Sequence, residues 1–107
     1  MARESLGTQL DLLLLSALGA EPAHGYAVIE ELRRRSDGFF DLPESTVYPA
    51  LHRFEQSKLV ESEWAEVSGR RRRVYRLTDK GRSALRERRR EWQALRRGIG
   101  AAIGDTG

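Results

Sequence analysis

The sequence contains no cysteine and only two histidines, which excludes several kinds of active site at once. Without cysteine there can be no disulfide, no thiolate nucleophile and no cysteine-based zinc site. The two histidines, His24 and His52, are the only nitrogen ligands that remain, and nothing in the sequence places them together. No nucleophile–base pair and no phosphate-binding glycine loop is recognisable either, so we expect no metal, no cofactor and no enzyme activity.

Long hydrophobic runs are also missing. The most apolar stretch, LDLLLLSALGA at residues 10–20, is too short to span a bilayer. It resembles the apolar core of a secretory signal, but the charges of Arg3 and Glu4 before it cancel, and Gln9 and Asp11 interrupt the approach. We predict instead a structural helix, apolar nearly all round, that is shared between the domain core and a partner subunit of a cytoplasmic protein.

Charge is present in abundance but is distributed unevenly. Residues 1–67 carry 6 Lys/Arg against 12 Asp/Glu, a net charge of −6, whereas residues 68–97 carry 13 against 3, a net charge of +10. An asymmetry of this size in 107 residues indicates a polyanionic partner such as nucleic acid. The alternative is a basic helix that is merely solvated.

Apolar spacing and turn residues predict the order of the elements. Helices are expected at about 8–18, 24–35 and 44–57, with Tyr26 among the inward residues of the second and a short extended piece before Pro43. A β-hairpin should follow, because β-prone runs flank the Ser68-Gly69 turn. A helix from Thr78-Asp79 to about Arg97 and a frayed, glycine-rich tail complete the chain.

The predicted third helix has a buried face and a polar face. Its inward positions follow the i, i+3, i+4, i+7 pattern: Val47, Ala50, Leu51 and Phe54. The opposite face carries Ser45, Tyr48, Pro49, His52, Arg53 and Gln56. Pro49 is tolerable if Ser45 is the N-cap, because the proline then forgoes only the first intrahelical hydrogen bond.

Three helices, a hairpin and a further helix give the order of a winged helix-turn-helix, in a mainly α (α+β) fold. In that architecture the third helix enters the major groove of DNA and the hairpin, or wing, contacts the adjacent backbone or minor groove. Four arginines at the expected tip of the wing, Arg70, Arg71, Arg72 and Arg73, suit phosphate contacts. As a strand would point alternate members to opposite faces, about two of the four should reach DNA.

The last predicted helix carries an apolar seam with heptad-like spacing, formed by Leu85, Trp92, Leu95 and Ile99, with Arg88 at the position where a further apolar residue is expected. This seam predicts a dimerisation helix. We therefore divide the chain into a winged helix-turn-helix domain at 1–77, including the N-terminal helix, and a C-terminal dimerisation helix with a flexible tail at 78–107.

Three colinear motifs resemble the PadR family of bacterial transcriptional regulators: HGYAVIEEL (24–32), STVYPALHRFEQSKLVES (45–62) and RRVYRLTDKGRSAL (72–85). The resemblance covers about residues 10–92 and points to the compact subgroup with one C-terminal helix. It implies a homodimeric regulator of double-stranded DNA, usually a repressor at a palindromic operator. It adds Thr46 to the positions expected to contact DNA, and it implies that the first helix joins the dimer interface, through Leu10, Leu13 and Leu14.

Some compact members of that family hold flat aromatic ligands between tryptophans of the dimer helices, and Trp92 lies in the corresponding helix here. The neighbouring Arg88, Arg89 and Arg90 make this seam more basic than such a slot would prefer, so an anionic effector is the alternative. A further alternative for the whole chain is a winged-helix protein-interaction module without specific DNA binding. The polar face of the third helix and the arginine-rich wing argue against it.

Overall fold

The computed structural model describes residues 7–105, which form four helices and three strands. In chain order these are α1 (Gly7–Ala20), β1 (Ala23–His24), α2 (Gly25–Arg35), α3 (Glu44–Gln56), β2 (Val60–Val67), β3 (Arg70–Leu77) and α4 (Asp79–Ile103). Arg3, Glu4 and the last two residues of the predicted tail lie outside the described residues. The mainly helical fold with a small antiparallel sheet confirms the predicted winged helix-turn-helix.

The sheet is built around the β2–β3 hairpin, which we call the wing. Val67 pairs with Arg70, so the loop contains two residues, Ser68 and Gly69, with φ of 51° and 78°. Positive φ at both positions is what a type I′ hairpin turn requires. β1 joins the other edge of β3, which gives the strand order β1-β3-β2. No sequence pattern predicted this short strand.

The hydrophobic core lies between α1, α2, α3 and the sheet, and the start of α4 closes it. Leu14 is 0% exposed and Leu85 6% exposed within the single chain. Their prediction as dimerisation residues was wrong, because side chains already buried in the monomer have no surface left for a partner. Leu10 and Leu13 pack against the same core but keep part of their surface.

Helix α2 starts at a side-chain cap. The Nδ1 atom of His24 accepts a hydrogen bond from the Ala27 amide at 3.2 Å, as an N-cap side chain does. The buried residues of the helix are Gly25, Val28, Ile29 and Leu32. Tyr26 was predicted to point inward, but 46% of its surface is exposed. The segment before Pro43 is a bend and irregular chain, so the extended piece expected there is absent from this described segment.

Helix α3 begins at Glu44, as predicted, but its N-cap is not Ser45. Its N-cap is Pro43, whose carbonyl accepts from the amides of Thr46 and Val47 at 3.0 and 3.2 Å, and the predicted N-cap Ser45 is already helical. Pro49 is therefore the sixth residue of the helix and cannot donate to the Ser45 carbonyl four residues earlier. The proline removes a regular helical bond on the exposed side, where water can satisfy the carbonyl.

Helix α4 continues to Ile103, so the prediction of a frayed tail was wrong for this stretch. Thr78 caps its start by accepting from the Gly81 amide at 3.0 Å. Gly104, with φ of 80°, ends it, and the Asp105 amide donates to the Gly100 carbonyl at 2.8 Å. Beyond Leu85 the helix is largely exposed, and it presents an apolar stripe formed by Trp92, Leu95, Ile99 and Ile103. In residues 7–105 no helix is both long and apolar enough to cross a membrane.

Candidate nucleic-acid interface

The outward face of α3 has the exposure that was predicted for it. Val47, Ala50, Leu51 and Phe54 are buried, and Phe54 is among the largest fully buried side chains. The opposite side presents the exposed residues Ser45, Tyr48, Pro49, His52 and Arg53, with Thr46 half-buried at its edge. This surface offers hydroxyl, imidazole and guanidinium groups on one rigid element, a set that can bond both phosphates and base edges.

Tyr48 is held in place by helix α2. A Cβ atom built on Gly25 would lie 2.6 Å from Tyr48 Cε1 and 2.9 Å from its Oη, so the ring rests directly on the glycine. Only a residue without a side chain allows this approach. The contact joins the start of α2 to the exposed face of α3, and it therefore fixes how the two helices of the helix-turn-helix present their polar groups.

Arg53 is exposed but not free. Its side chain is 55% exposed, and both of its terminal nitrogens donate to Asp11 on α1, at 3.3 and 3.4 Å. Asp11 is only 8% exposed and lies 3.6 Å from a terminal nitrogen of Arg88 on α4. One carboxylate therefore contacts arginines from two other helices, which also explains why Arg88 interrupts the apolar seam.

The four wing arginines lie within strand β3 rather than on the turn, so their predicted place at the tip was wrong. Arg70 follows the turn directly, and the other three continue down the strand opposite residues 64–66. Their faces alternate as expected. The guanidinium groups of Arg71 and Arg73 lie over the Trp64 ring at 5.2 and 5.4 Å, whereas Arg72 lies over the Tyr26 ring at 5.9 Å.

Arg73 connects the wing to α3. Its Nε donates to the Ser62 hydroxyl at 2.9 Å, and that hydroxyl donates to Glu55 of α3 at 2.6 Å. A second nitrogen of Arg73 lies 3.7 Å from the same carboxylate. These contacts set the angle between the wing and α3, so Arg73 has a structural role that Arg70 and Arg71 do not share.

His24 lies close to another arginine of the wing. Burial and, secondarily, the positive charge of Arg72 lower the pKa of His24 below its ordinary value of 6.5. The neutral imidazole that results keeps a lone pair on Nδ1 for the Ala27 amide. Near neutral pH the cap of α2 is therefore intact, and the positive charge in this corner comes from Arg72.

A groove runs along the exposed part of α4. It has a volume of about 520 Å³ and is lined by Trp92, Ile99 and Ile103 together with Arg96 and Arg97. Trp92, the candidate effector contact, therefore lies on an open surface whose charged lining consists of these two arginines and Asp105. Among residues 7–105, no three His, Asp or Glu side chains come together in a way that could hold a metal ion.

The comparison with known families matches the segment that contains α3 and the wing. The model of the transcriptional regulator PadR-like family matches residues 14–87, which run from the core of α1 to the first turns of α4. The chain belongs to the PadR-like family of transcriptional regulators. A transcriptional regulator of Mycobacterium tuberculosis is 38% identical to this chain over 97 residues, which are 91% of this chain and 88% of that protein. The family is not enzymatic.

Solved PadR structures have the same architecture. A PadR family transcriptional regulator from Eggerthella lenta superposes with a TM-score of 0.78 at 36% identity, covering 100% of this chain and 91% of that chain. A PadR-like transcriptional regulator from Bacillus cereus gives a TM-score of 0.81 at 27% identity, covering 97% and 98%. The PadR-like chain described here therefore shares both the helical frame and the winged hairpin of the family.

Several residues of this surface were missed by the sequence interpretation: Asp11, Gly25, Tyr26, Glu55, Ser62 and Trp64. A signal existed for Trp64, because a two-residue turn at Ser68-Gly69 fixes the hairpin register and places Trp64 opposite Arg73. The contact of Asp11 with Arg53 joins residues 42 positions apart, and no local pattern indicates it.

Proposed function

We propose that this PadR-like protein is a sequence-specific DNA-binding regulator, a repressor, that binds a palindromic operator as a homodimer in the cytoplasm. The observation that carries the proposal is the face of α3, where Tyr48, His52 and Arg53 stand exposed above a fully buried apolar stripe. A helix held so firmly by its inner face can enter the major groove without losing its conformation, and its outer side chains can contact base edges.

The position of each side chain indicates which part of the DNA it would contact. Ser45, Thr46 and Pro49 at the start of α3 suit contacts to phosphate and sugar, and Tyr48, His52 and Arg53 suit contacts to base edges. Arg70 and Arg71, nearest the wing turn, supply sequence-independent phosphate contacts. Arg72 and Arg73 are the less exposed pair and contribute chiefly through their charge.

The homodimer is supported by the exposed stripe of α4. Trp92, Leu95, Ile99 and Ile103 follow each other at helical spacing, and each keeps 40% or more of its surface exposed. A stripe of large apolar residues on a long helix is stable in water when a second helix covers it. Leu10 and Leu13 of α1, which keep part of their surface, extend the same interface. Two copies of α3 about 34–36 Å apart would then face successive turns of the major groove.

The repressor assignment rests on the family resemblance and on geometry: a dimer across two major-groove turns blocks access of polymerase wherever its operator overlaps a promoter. We include effector release in the proposal because Trp92 borders the α4 groove, where a ligand would lie between the two paired helices of the dimer. Arg96 and Arg97 outnumber the one carboxylate of the lining, Asp105, so the groove favours a flat ligand that carries negative charge.

Fluorescence anisotropy tests the proposal, with a labelled duplex from the region upstream of the protein's own gene and a random duplex of equal length. We expect selective binding to one pair of half-sites and a steep fall in affinity as the salt concentration rises. If the upstream duplex does not contain the half-sites, footprinting on other genomic fragments defines them. Equal affinity for all genomic fragments and for random DNA would overturn sequence-specific recognition and favour the interaction module.

A further inference from the structure

The contact between Asp11 and Arg53 links α1 to the outward face of α3. Arg53 donates through Nη1 to Oδ2 of Asp11 at 3.4 Å and through Nη2 to Oδ1 at 3.3 Å, so each carboxylate oxygen accepts a hydrogen bond from a different nitrogen. Such a two-point pair fixes the plane of the guanidinium group, and not merely its position. Asp11 itself cannot turn away, because its helix is packed into the core and its side chain is buried.

The pair leaves Arg53 able to bind something else. A guanidinium group has five N–H donors, of which the two hydrogen bonds to Asp11 occupy two. The remaining three belong to a side chain that is 55% exposed. Arg53 can thus donate to a base or phosphate while Asp11 continues to hold it.

The charges around Asp11 are compatible with a position beside DNA. A carboxylate next to the DNA-facing helix would by itself repel phosphate, but Arg88 of α4 approaches the same carboxylate at 3.6 Å. The three groups together carry a net charge of +1. Arg88 compensates Asp11, and the charge of Arg53 remains available to a polyanion.

We propose that Asp11 is a positioning residue for operator recognition: it holds the Arg53 guanidinium in the orientation in which its free donors meet the DNA, while Arg88 neutralises the carboxylate. The inference rests on the proposed function, since it assumes that the face of α3 contacts an operator. Its physical basis is that an arginine already fixed in the free protein has less side-chain freedom to lose on binding.

A double-mutant cycle tests the coupling. Asp11→Asn keeps the shape but removes the charge of the pair, and we expect operator affinity to fall about 5- to 10-fold, while affinity for random DNA changes less than about 2-fold. In an Arg53→Ala background the same Asp11→Asn change should have less than about a 2-fold effect on operator affinity. Additive losses in the double variant would show that Asp11 acts through packing alone and would overturn the inference.

Two further variants keep the test decisive. Arg53→Lys preserves the charge but cannot form the two-point pair, so it should lose selectivity as Asp11→Asn does, with an unchanged salt dependence on random DNA. Wild-type selectivity in Arg53→Lys would also overturn the inference, even if Asp11→Asn failed to fold.

Glu31→Gln, which breaks the exposed pairs of Glu31 with Arg34 and Arg35, is the matched control and should leave selectivity unchanged. If the wild-type protein does not prefer operator over random DNA, the proposed function itself is overturned. If the wild type is selective but the losses in the double-mutant cycle are additive, only the role of Asp11 is overturned.

Discussion

The ring of Tyr48 lies on the backbone of Gly25, where an added Cβ atom would come within 2.6 Å of Cε1. This contact joins the first helix of the helix-turn-helix to the exposed face of the second. It also gives a reason for a glycine at the start of α2, where a residue with a side chain would favour the helix more. The glycine makes room for the tyrosine.

Gly25→Ala should therefore move Tyr48 and weaken operator binding about tenfold, equivalent to about 1.4 kcal/mol. Its effect on the free energy of unfolding should be smaller, because Tyr48 is exposed and its ring can swing outward. Anisotropy titrations and urea unfolding of the same samples measure the two effects. In a Tyr48→Ala background the substitution should change operator affinity little, and a full tenfold loss there would show that Gly25 acts by another route.

The wing and α3 should respond differently to alanine substitution. Arg70→Ala with Arg71→Ala should weaken operator and random DNA to a similar degree and reduce the slope of log affinity against log salt by about 1 to 2. His52→Ala should instead reduce operator affinity more than random-DNA affinity, because a base contact carries about 1–3 kcal/mol of discrimination. Titrations of all variants at two salt concentrations provide the comparison. Equal losses on both duplexes for His52→Ala would contradict the assigned roles.

The parts of the fold and of the DNA-facing surface that could be predicted from the sequence are those that depend on contacts between residues close together in the chain. The buried stripe of α3 repeats within eight residues, and the hairpin is fixed by its turn, so both were predicted from sequence. The length of α4 was underestimated because Gly98 and Gly100 are poor helix formers, yet the helix continues through them to the cap at Gly104. Local preference there is outweighed by the continuous run of helical hydrogen bonds on either side.

Side-chain burial was harder to predict than element order. Leu85 shares the heptad-like spacing of the exposed stripe of α4, and Leu14 belongs to a helix that is apolar nearly all round, but the sequence cannot show that both face the chain's own core. Tyr26 was expected inside because it shares a three-residue spacing with Ile29 and Leu32, yet its ring lies against Arg72 of the wing. Each of these errors concerns a contact between segments that are distant in sequence.

The apolar stripe of α4 should control assembly. Ile99→Glu places a charge in the middle of the stripe, and we expect the dimer dissociation constant to rise at least about 100-fold, because an unpaired charge is costly to bury. Sedimentation equilibrium measures the shift, and operator affinity should fall with it as the second half-site is lost. Ala94→Glu, on the exposed opposite side of the same helix, is the matched control. Unchanged assembly in Ile99→Glu would place the interface elsewhere.

Trp92 should report on ligands in the α4 groove. A planar aromatic anion should quench its fluorescence with saturation, because Arg96 and Arg97 line the same groove. The quenching should persist in Trp64→Phe, which removes the other tryptophan, and disappear in Trp92→Phe. The reverse pattern would assign the binding to the wing, where Trp64 lies beside Arg71 and Arg73.

The cap formed by His24 should make stability depend on pH. Its pKa is lowered in the folded protein by burial and by Arg72, so between the folded and unfolded pKa values the unfolded chain binds more protons. This contribution to stability is present in full above about pH 6.5, the unfolded value, and is lost as the pH falls below it. His24→Asn retains a side chain that can cap a helix but does not titrate. In urea unfolding at pH 7.5 and 5.5, the carboxylates affect both proteins alike, so the stability advantage of the wild type over His24→Asn should shrink at the lower pH. An advantage that stays constant or grows would contradict a neutral His24 cap.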